Sequence, residues 1–216
     1  MWNYFHDGRK RHVISMGRRS AHSPEELRQL ILDASKTIVE QNGISGLSAR
    51  EIARIIGYSP GTLYNIFENL DDVLLSMQIQ LLGRSVDHLH SVELGSDSEE
   101  NVEALIQAYI DFALSNRHMW NVLFAHTLPA TFTIPVSFTD HLNSLSDILR
   151  RALKPIDPNA TDSELDLTAH SLFAAVHGMT AIAASGKSAI LTPLTARSYA
   201  KQLSSTFLRG MRSRPA

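Results

Sequence analysis

The chain has 216 residues, 44% apolar and 19% charged, with a net charge of −2. At about 150 residues per domain this is one or two domains, enough to bury a core. The composition excludes a disordered or collagen-like chain. Cysteine is absent, which excludes disulfide scaffolds, thiolate nucleophiles and cysteine-ligated zinc, and fits a reducing compartment. The longest apolar stretch, Leu172 to Ala184, is interrupted by His177 and falls short of the roughly 18 residues of a membrane span. The opening MWNYFHDGRKRH has no apolar segment of the secretory-signal kind. A soluble, cytoplasmic globular protein is expected.

Charge is unevenly spread. Residues 1–70 carry nine Lys/Arg against seven Asp/Glu, and residues 71–216 carry eleven against fifteen. Residues 1–22 hold Arg9, Lys10, Arg11, Arg18 and Arg19 against Asp7 alone. A flexible basic arm ahead of a folded unit is one way to meet a polyanion, although composition by itself favours a solubilising tail. Met16-Gly17-Arg18-Arg19 also reads as a start, which would make residues 1–15 an upstream extension.

Nine helices are expected in chain order. Ser23 caps a helix over about 23–42, with Pro24 in its first turn and Leu27, Leu30, Ile31, Ala34 and Ile38 on one face. Asn42-Gly43 ends it. Ser48 with Glu51 is a capping box for a short helix to about Ile56, closed by Gly57. Ser59-Pro60 opens a second short helix over about 60–67. A long helix from about Asp71 to Ser91 carries Val73, Leu74, Met77, Leu81, Leu82, Val86 and Leu89. Helices follow over about 99–115, 117–127 and 136–153, the last two separated by a loop between Pro129 and Pro135. Thr161 and Glu164 box the start of a helix over about 162–185, whose Leu165, Leu172 and Met179 recur at seven-residue spacing. Pro193 opens the last, over about 193–210. No period-two run marks a strand, and no internal repeat occurs. The fold class is all-α.

The block 48–67 carries the most information. A short helix, a glycine turn and a second short helix form a helix-turn-helix. Ile52 and the small Ala53 face inward, and Leu63 and Phe67, four apart, lock the second helix onto the first. Ser59, Pro60, Gly61, Thr62, Tyr64 and Asn65 are left exposed where a recognition helix meets base edges. Thr62 and Asn65 can hydrogen-bond bases or phosphates, and Pro60 can touch a thymine methyl. Ser48 and Arg50, at the start of the supporting helix, stand near a phosphate or the groove rim.

The runs Leu47-Ser48-Ala49-Arg50-Glu51-Ile52-Ala53-Arg54 and Gly57-Tyr58-Ser59-Pro60-Gly61-Thr62-Leu63-Tyr64, with Phe67, closely resemble the tetracycline-repressor (TetR) family of transcriptional regulators. The likeness is strong over about 23–75 and extends to helical layout beyond. Tyr109 to Ala113, Trp120, Phe124 and Val176-His177-Gly178 resemble a subgroup with a Trp-His-Gly signature, with valine in place of its tryptophan. With the charge-read basic arm over 1–22, the resemblance implies a DNA-binding domain over 23–70 and a ligand-binding and dimerisation domain over 71–216. It differs at Ile66 and Leu70, where the family commonly has a polar residue and a lysine that look like phosphate contacts. The basic arm is a candidate to compensate for them.

Other signals are weaker. Ala181 to Ser188 nearly fits a phosphate-binding loop, but it lies at a helix C-terminus, the wrong dipole end. Ten histidines include no converging metal set; His88 and His90 lie on different faces. No metal, cofactor or catalytic constellation is expected, and no hydrolase elbow occurs. Tyr109, Phe112, Trp120, Phe124, Phe138 and His177 are candidates for an effector pocket, although core and apolar pocket look alike in sequence. The apolar faces of the last two helices, with Ala174, Ala175, Ala181 and Ala184, fit a four-helix homodimer seam. The expected function is a ligand-responsive regulator that binds a palindromic operator in double-stranded DNA as a dimer and releases it on binding a small-molecule effector. The alternative is a DNA- or partner-binding helical protein without small-molecule control.

Overall fold

Capping chemistry sets most element boundaries in the computed structural model, which describes residues 22–127 and 132–212, without the side chains of Phe124 and Ala125. Arg9, Lys10, Arg11, Arg18 and Arg19 lie outside the described residues. Among those described there are nine α-helices, one 3₁₀ turn at Ile44–Gly46 and no strand. The helices are α1 Pro24–Asn42, α2 Ala49–Ile56, α3 Pro60–Leu63, α4 Leu70–His90, α5 Ser98–Ser115, α6 Arg117–Ala125, α7 Val136–Leu153, α8 Asp162–Ser185 and α9 Ala196–Arg212.

Both Ser23–Glu26 and Thr161–Glu164 form complete capping boxes. Ser48 forms half of one. Its Oγ accepts the Glu51 N–H at 3.2 Å, while the Glu51 carboxylate turns outward to accept two hydrogen bonds from Arg54. Two expected boundaries move. The second short helix ends at Leu63 rather than about 67, because Asn65 and Ile66 donate to residues three back in the chain, giving turns. The last helix starts at Ala196 rather than Pro193. There Thr192 and Thr195 exchange side-chain-to-backbone hydrogen bonds in a turn that leads into it.

α4 is the central strut. It packs on α1, α5, α6 and α7. Residues Val73 to Gln78 are all buried, so the one-sided face read from the sequence is too narrow over this stretch; further along, Gln80, Arg84, Asp87 and His88 are exposed and the face is one-sided. One continuous apolar core runs from Leu27 to Met211. α8 lies against α5, α6, α7 and α9. By length and composition alone the whole helix would pass as a membrane span, a test that the core helix of a soluble protein also passes; here it packs against four other helices. Gly186 closes it in the left-handed conformation at φ 67°.

The outer face of α8 and α9 is apolar and small. Leu167, Ser171, Ala174 and Ile182 follow helical spacing along α8, with Leu167 67% exposed. Tyr199, Leu203, Thr206 and Gly210 do the same on α9. A surface groove of about 440 Å³ runs between them at Leu167, Ser171, Phe207 and Gly210. Of the four alanines expected on this face, Ala184 turns inward and is buried.

Candidate functional site

α2 and α3 are joined by Gly57, which adopts φ 74° and ψ 27°. This left-handed cap costs a glycine nothing and strains any residue with a Cβ. Tyr58 donates its N–H to the Ala53 carbonyl at 3.0 Å, and Ala53 is buried beside Ile52. Beneath α3, Leu63 and Phe67 are 1% and 2% exposed. The Phe67 N–H donates to the Leu63 carbonyl at 2.9 Å. The short helix is therefore held from below by two apolar anchors.

Above it stand the residues expected to meet DNA. Ser59, Pro60, Gly61 and Asn65 are exposed, and Tyr64 is 52% exposed. Thr62 is half-buried, its Oγ1 3.0 Å from Ser59 Oγ. Ser59 Oγ makes that contact instead of capping α3. Arg50 is exposed. Ser48 is half-buried and its hydroxyl serves the α2 cap. Replacing Ser48 by alanine is expected to cost about 1 kcal/mol, the usual effect of losing an N-cap. A urea midpoint unchanged from the parent would contradict that role.

A residue without any signal in the sequence organises this region. Arg28 of α1 places its guanidinium 4.2 Å above the Phe67 ring and donates to Ser76 Oγ of α4 at 2.7 Å. It ties α1, the end of the helix-turn-helix and α4 together. Ile66 and Leu70, the two departures from the family pattern, pack half-buried against the core.

The second candidate region lies among α5, α6 and α8. Tyr109, Phe112 and Trp120 pack edge to face. Phe173, not foreseen, packs edge-on against Tyr109 and stacks on His177. Tyr109 Oη is 2.8 Å from His177 Nδ1. Four of the six expected pocket residues thus meet. Phe138 packs against the core from α7 and makes none of these ring contacts. The Phe124 side chain lies outside the described residues. A cavity of about 30 Å³ adjoins the cluster, lined by Leu89, Leu105, Ile106, Tyr109, Leu145, Ile148, Leu149, Phe173 and Val176. Of the expected pocket residues, Tyr109 lines it.

Burial holds the His177 imidazolium below its ordinary range and pushes the Tyr109 phenol up. A histidine that resists protonation when folded stabilises fully above its unfolded value of about 6.5 and loses that contribution as pH falls. Unfolding midpoints at pH 8 and pH 5 are expected to differ less in His177→Gln than in the parent. An equal difference would remove His177 from the account.

A third contact joins the two regions. His126, the C-cap of α6, places Nε2 2.9 Å from Asp71 Oδ1 in the first turn of α4. The buried Gln78 amide donates to the Val122 carbonyl at 3.3 Å and lies 3.4 Å from His126 Nδ1. Among the described residues no group of three or more His, Asp or Glu is placed to hold a metal ion.

A head carrying a helix-turn-helix, joined through a long strut to a helical body, is the plan of a family of bacterial regulators. Residues 31–77 match the family described as bacterial regulatory proteins, tetR family, and residues 102–206 match the tetracyclin repressor-like C-terminal domain. The chain belongs to the TetR family. A curated relative, the uncharacterized HTH-type transcriptional regulator YobS of Bacillus subtilis, is 25% identical over 88 residues. That match covers 41% of this chain and 46% of the relative. A protein of unknown function from Rhodococcus sp. RHA1 has a similar structure, with TM-score 0.69 and 23% identity over 89% of this chain and 98% of its own. The fatty acid degradation regulator FadR of Bacillus halodurans gives 0.63 and 20%, over 90% and 100%. Thermus thermophilus FadR, a repressor solved with lauroyl-CoA, gives 0.61 and 20%, over 88% and 97%.

Proposed function

We propose that this chain is a DNA-binding transcriptional regulator, a repressor that binds a palindromic operator as a dimer and releases it when a small molecule binds. The observation that carries the reading is the exposed tip of α3. Its small residues Ser59, Pro60 and Gly61 let it sink into a major groove, while Leu63 and Phe67 fix it from behind. Residues 23–70 serve as the DNA-binding domain and 71–216 as the effector and dimer domain. Tyr64 and Arg50 contact phosphates, and Thr62 and Asn65 read base edges. The apolar faces of α8 and α9 pair two copies, which sets two α3 tips about 34–36 Å apart for successive grooves.

An effector would enter between α5, α7 and α8, where the lining is almost wholly hydrocarbon. The lauroyl-CoA complex of Thermus thermophilus FadR, a protein of the same fold, supports an effector with an apolar portion. α4 would carry the response to the head, with Asp71–His126 as its contact to α6. The effector must bind the two states with different affinity, since equal affinity shifts nothing.

An operator selected from random-sequence duplexes tests the reading. Tyr64→Ala and Arg50→Ala should weaken binding to matched and scrambled duplexes alike, and Thr62→Ala should chiefly reduce the preference between them. Equal loss on both for Thr62→Ala would refute its reading role. A second function, DNA binding without small-molecule control, is favoured by the cavity's size, which admits about one water. Thermal shifts with apolar and cationic small molecules separate the two, because a pocket binder stabilises by mass action.

A further inference from the structure

We propose that the cleft between the C-terminal end of α1 and α6 binds a small organic cation, an ammonium group on an apolar body, and that its occupancy fixes the head against the body. This site is separate from the effector entrance between α5, α7 and α8. The cavity there holds about one water, whereas the cleft has about 330 Å³, within the roughly 300–1,000 Å³ of small-molecule sites. One wall is the end of α1 with the turn after it, and the other is α6. His118, Asn121 and Val122 of α6 lie three and four apart, so they share one face. Val39 and Val122 are buried beneath the cleft and form an apolar floor, and Ile44 is an exposed apolar side chain at its edge.

The polar groups of the cleft select a cation. Glu40 brings a carboxylate. Its partner Lys36 stands 3.8 Å away, with both side chains open to solvent, a pair that contributes little and yields readily to a better-placed ammonium. Asn121 spends its amide N–H on the Ala184 carbonyl at 3.5 Å, which leaves its Oδ1 to accept. The side chains of Gln41 and His118 also line the cleft and have no partner among the described residues. The backbone adds the same sign. The last turn of α1 holds no basic residue. Of the carbonyls from Val39 to Asn42, Val39's alone accepts a backbone N–H among the described residues, from Gly43 at 3.0 Å. The C-terminal end of a helix carries about half a negative charge, so a carboxylate or phosphate would be repelled there and an ammonium held. α1 also packs on α2, and Gly43 and Ile44 lead into Ser48, the cap of α2. A ligand that bridges Glu40 and Ile44 to α6 therefore sets where the helix-turn-helix stands. This coupling rests on the DNA reading above, and it is reciprocal: duplex and cation change each other's affinity by the same factor.

The test is a ¹H–¹⁵N NMR titration of the full chain at pH 8 with 4-phenylbutylamine, 4-phenylbutanol and 4-phenylbutyrate, which share an apolar body and carry positive, zero and negative charge. The amine should shift the amides of Gln41 to Ile44 and of His118 to Val122. The alcohol should bind about fivefold more weakly, and the carboxylate more weakly still. Glu40→Gln, at an exposed site, should also bind the amine about fivefold more weakly, the upper range for a partly exposed ion pair. Glu40→Lys should lose more than about tenfold, since attraction becomes repulsion. Glu100→Gln, the same change of charge on α5, should bind the amine as the parent does. Shifts confined to α5 and α8, or equal affinity in the parent and Glu40→Gln, overturn the site and leave the effector reading of the body standing. Equal binding of amine and carboxylate overturns the choice of a cation. Anisotropy on the selected operator tests the coupling: saturating amine should change operator affinity about fivefold or more in the parent, and not in Glu40→Lys. An unchanged affinity in the parent overturns the coupling. A parent that binds no duplex overturns the DNA reading and the coupling together, while the cation site stands or falls by the NMR titration.

Discussion

Phe67→Ala is expected to cost about 3–5 kcal/mol, the usual range for truncating a buried phenylalanine, and to abolish DNA binding before the body unfolds. The reason is local. α3 has four residues, far below the length at which a helix persists unaided. Its position depends on Leu63 and Phe67 and on the backbone bond between them. The phenyl ring also supports Arg28, whose guanidinium lies 4.2 Å above it; losing that contact adds about 0.5–2 kcal/mol and loosens the tie from α1 to Ser76. Hydrogen exchange should therefore rise over residues 49–67 well before it rises over α8. Phe67→Leu keeps much of the volume and should cost less than half as much. If exchange over 49–67 matches the parent in Phe67→Ala, α3 is held by something other than its two anchors.

The same region shows what the sequence makes legible and what it hides. Ser23, Ser48, Gly57, Thr161 and Gly186 sit where local backbone chemistry demands them, so helix starts and stops are readable from composition at those points. Leu63 and Phe67 are readable because four-residue spacing puts both on one face. Arg28 is not, since nothing in its neighbourhood on α1 signals a ring and a hydroxyl brought from 39 and 48 residues away. The burial of Ser76 and Gln78 is hidden for the same reason: only the packing of α1, α6 and α7 around α4 closes its polar side. In the body, the aromatic residue types are legible in the sequence, yet the cavity is lined mostly by leucine and isoleucine. These are the residue types that also fill cores, so no sequence signal separates the two uses. His126–Asp71 spans 55 residues and depends on where α6 ends relative to the first turn of α4, a tertiary fact.

Leu167→Arg is expected to separate two copies of the chain and, with that, to weaken operator binding about 10²- to 10⁴-fold, the range by which linking two sites raises avidity. Leu167 is 67% exposed in a stripe with Ser171, Ala174 and Ile182, and the neighbouring α9 stripe ends at Gly210. Exposed apolar side chains at helical spacing, interleaved with small ones, suit a close helix–helix seam. Two-fold symmetry doubles the effect of one substitution, because each copy brings its own arginine into the seam. A guanidinium there would be stripped of water without a partner, a penalty of several kcal/mol. Sedimentation should show a dimer for the parent and a monomer for the variant. Val136→Arg, at a site 72% exposed on α7 and away from the stripe, should leave both assembly and DNA binding as in the parent. A dimeric Leu167→Arg would move the seam elsewhere. A monomeric Leu167→Arg that binds the operator as tightly as the parent would mean that one α3 tip suffices, and the palindrome would lose its physical basis.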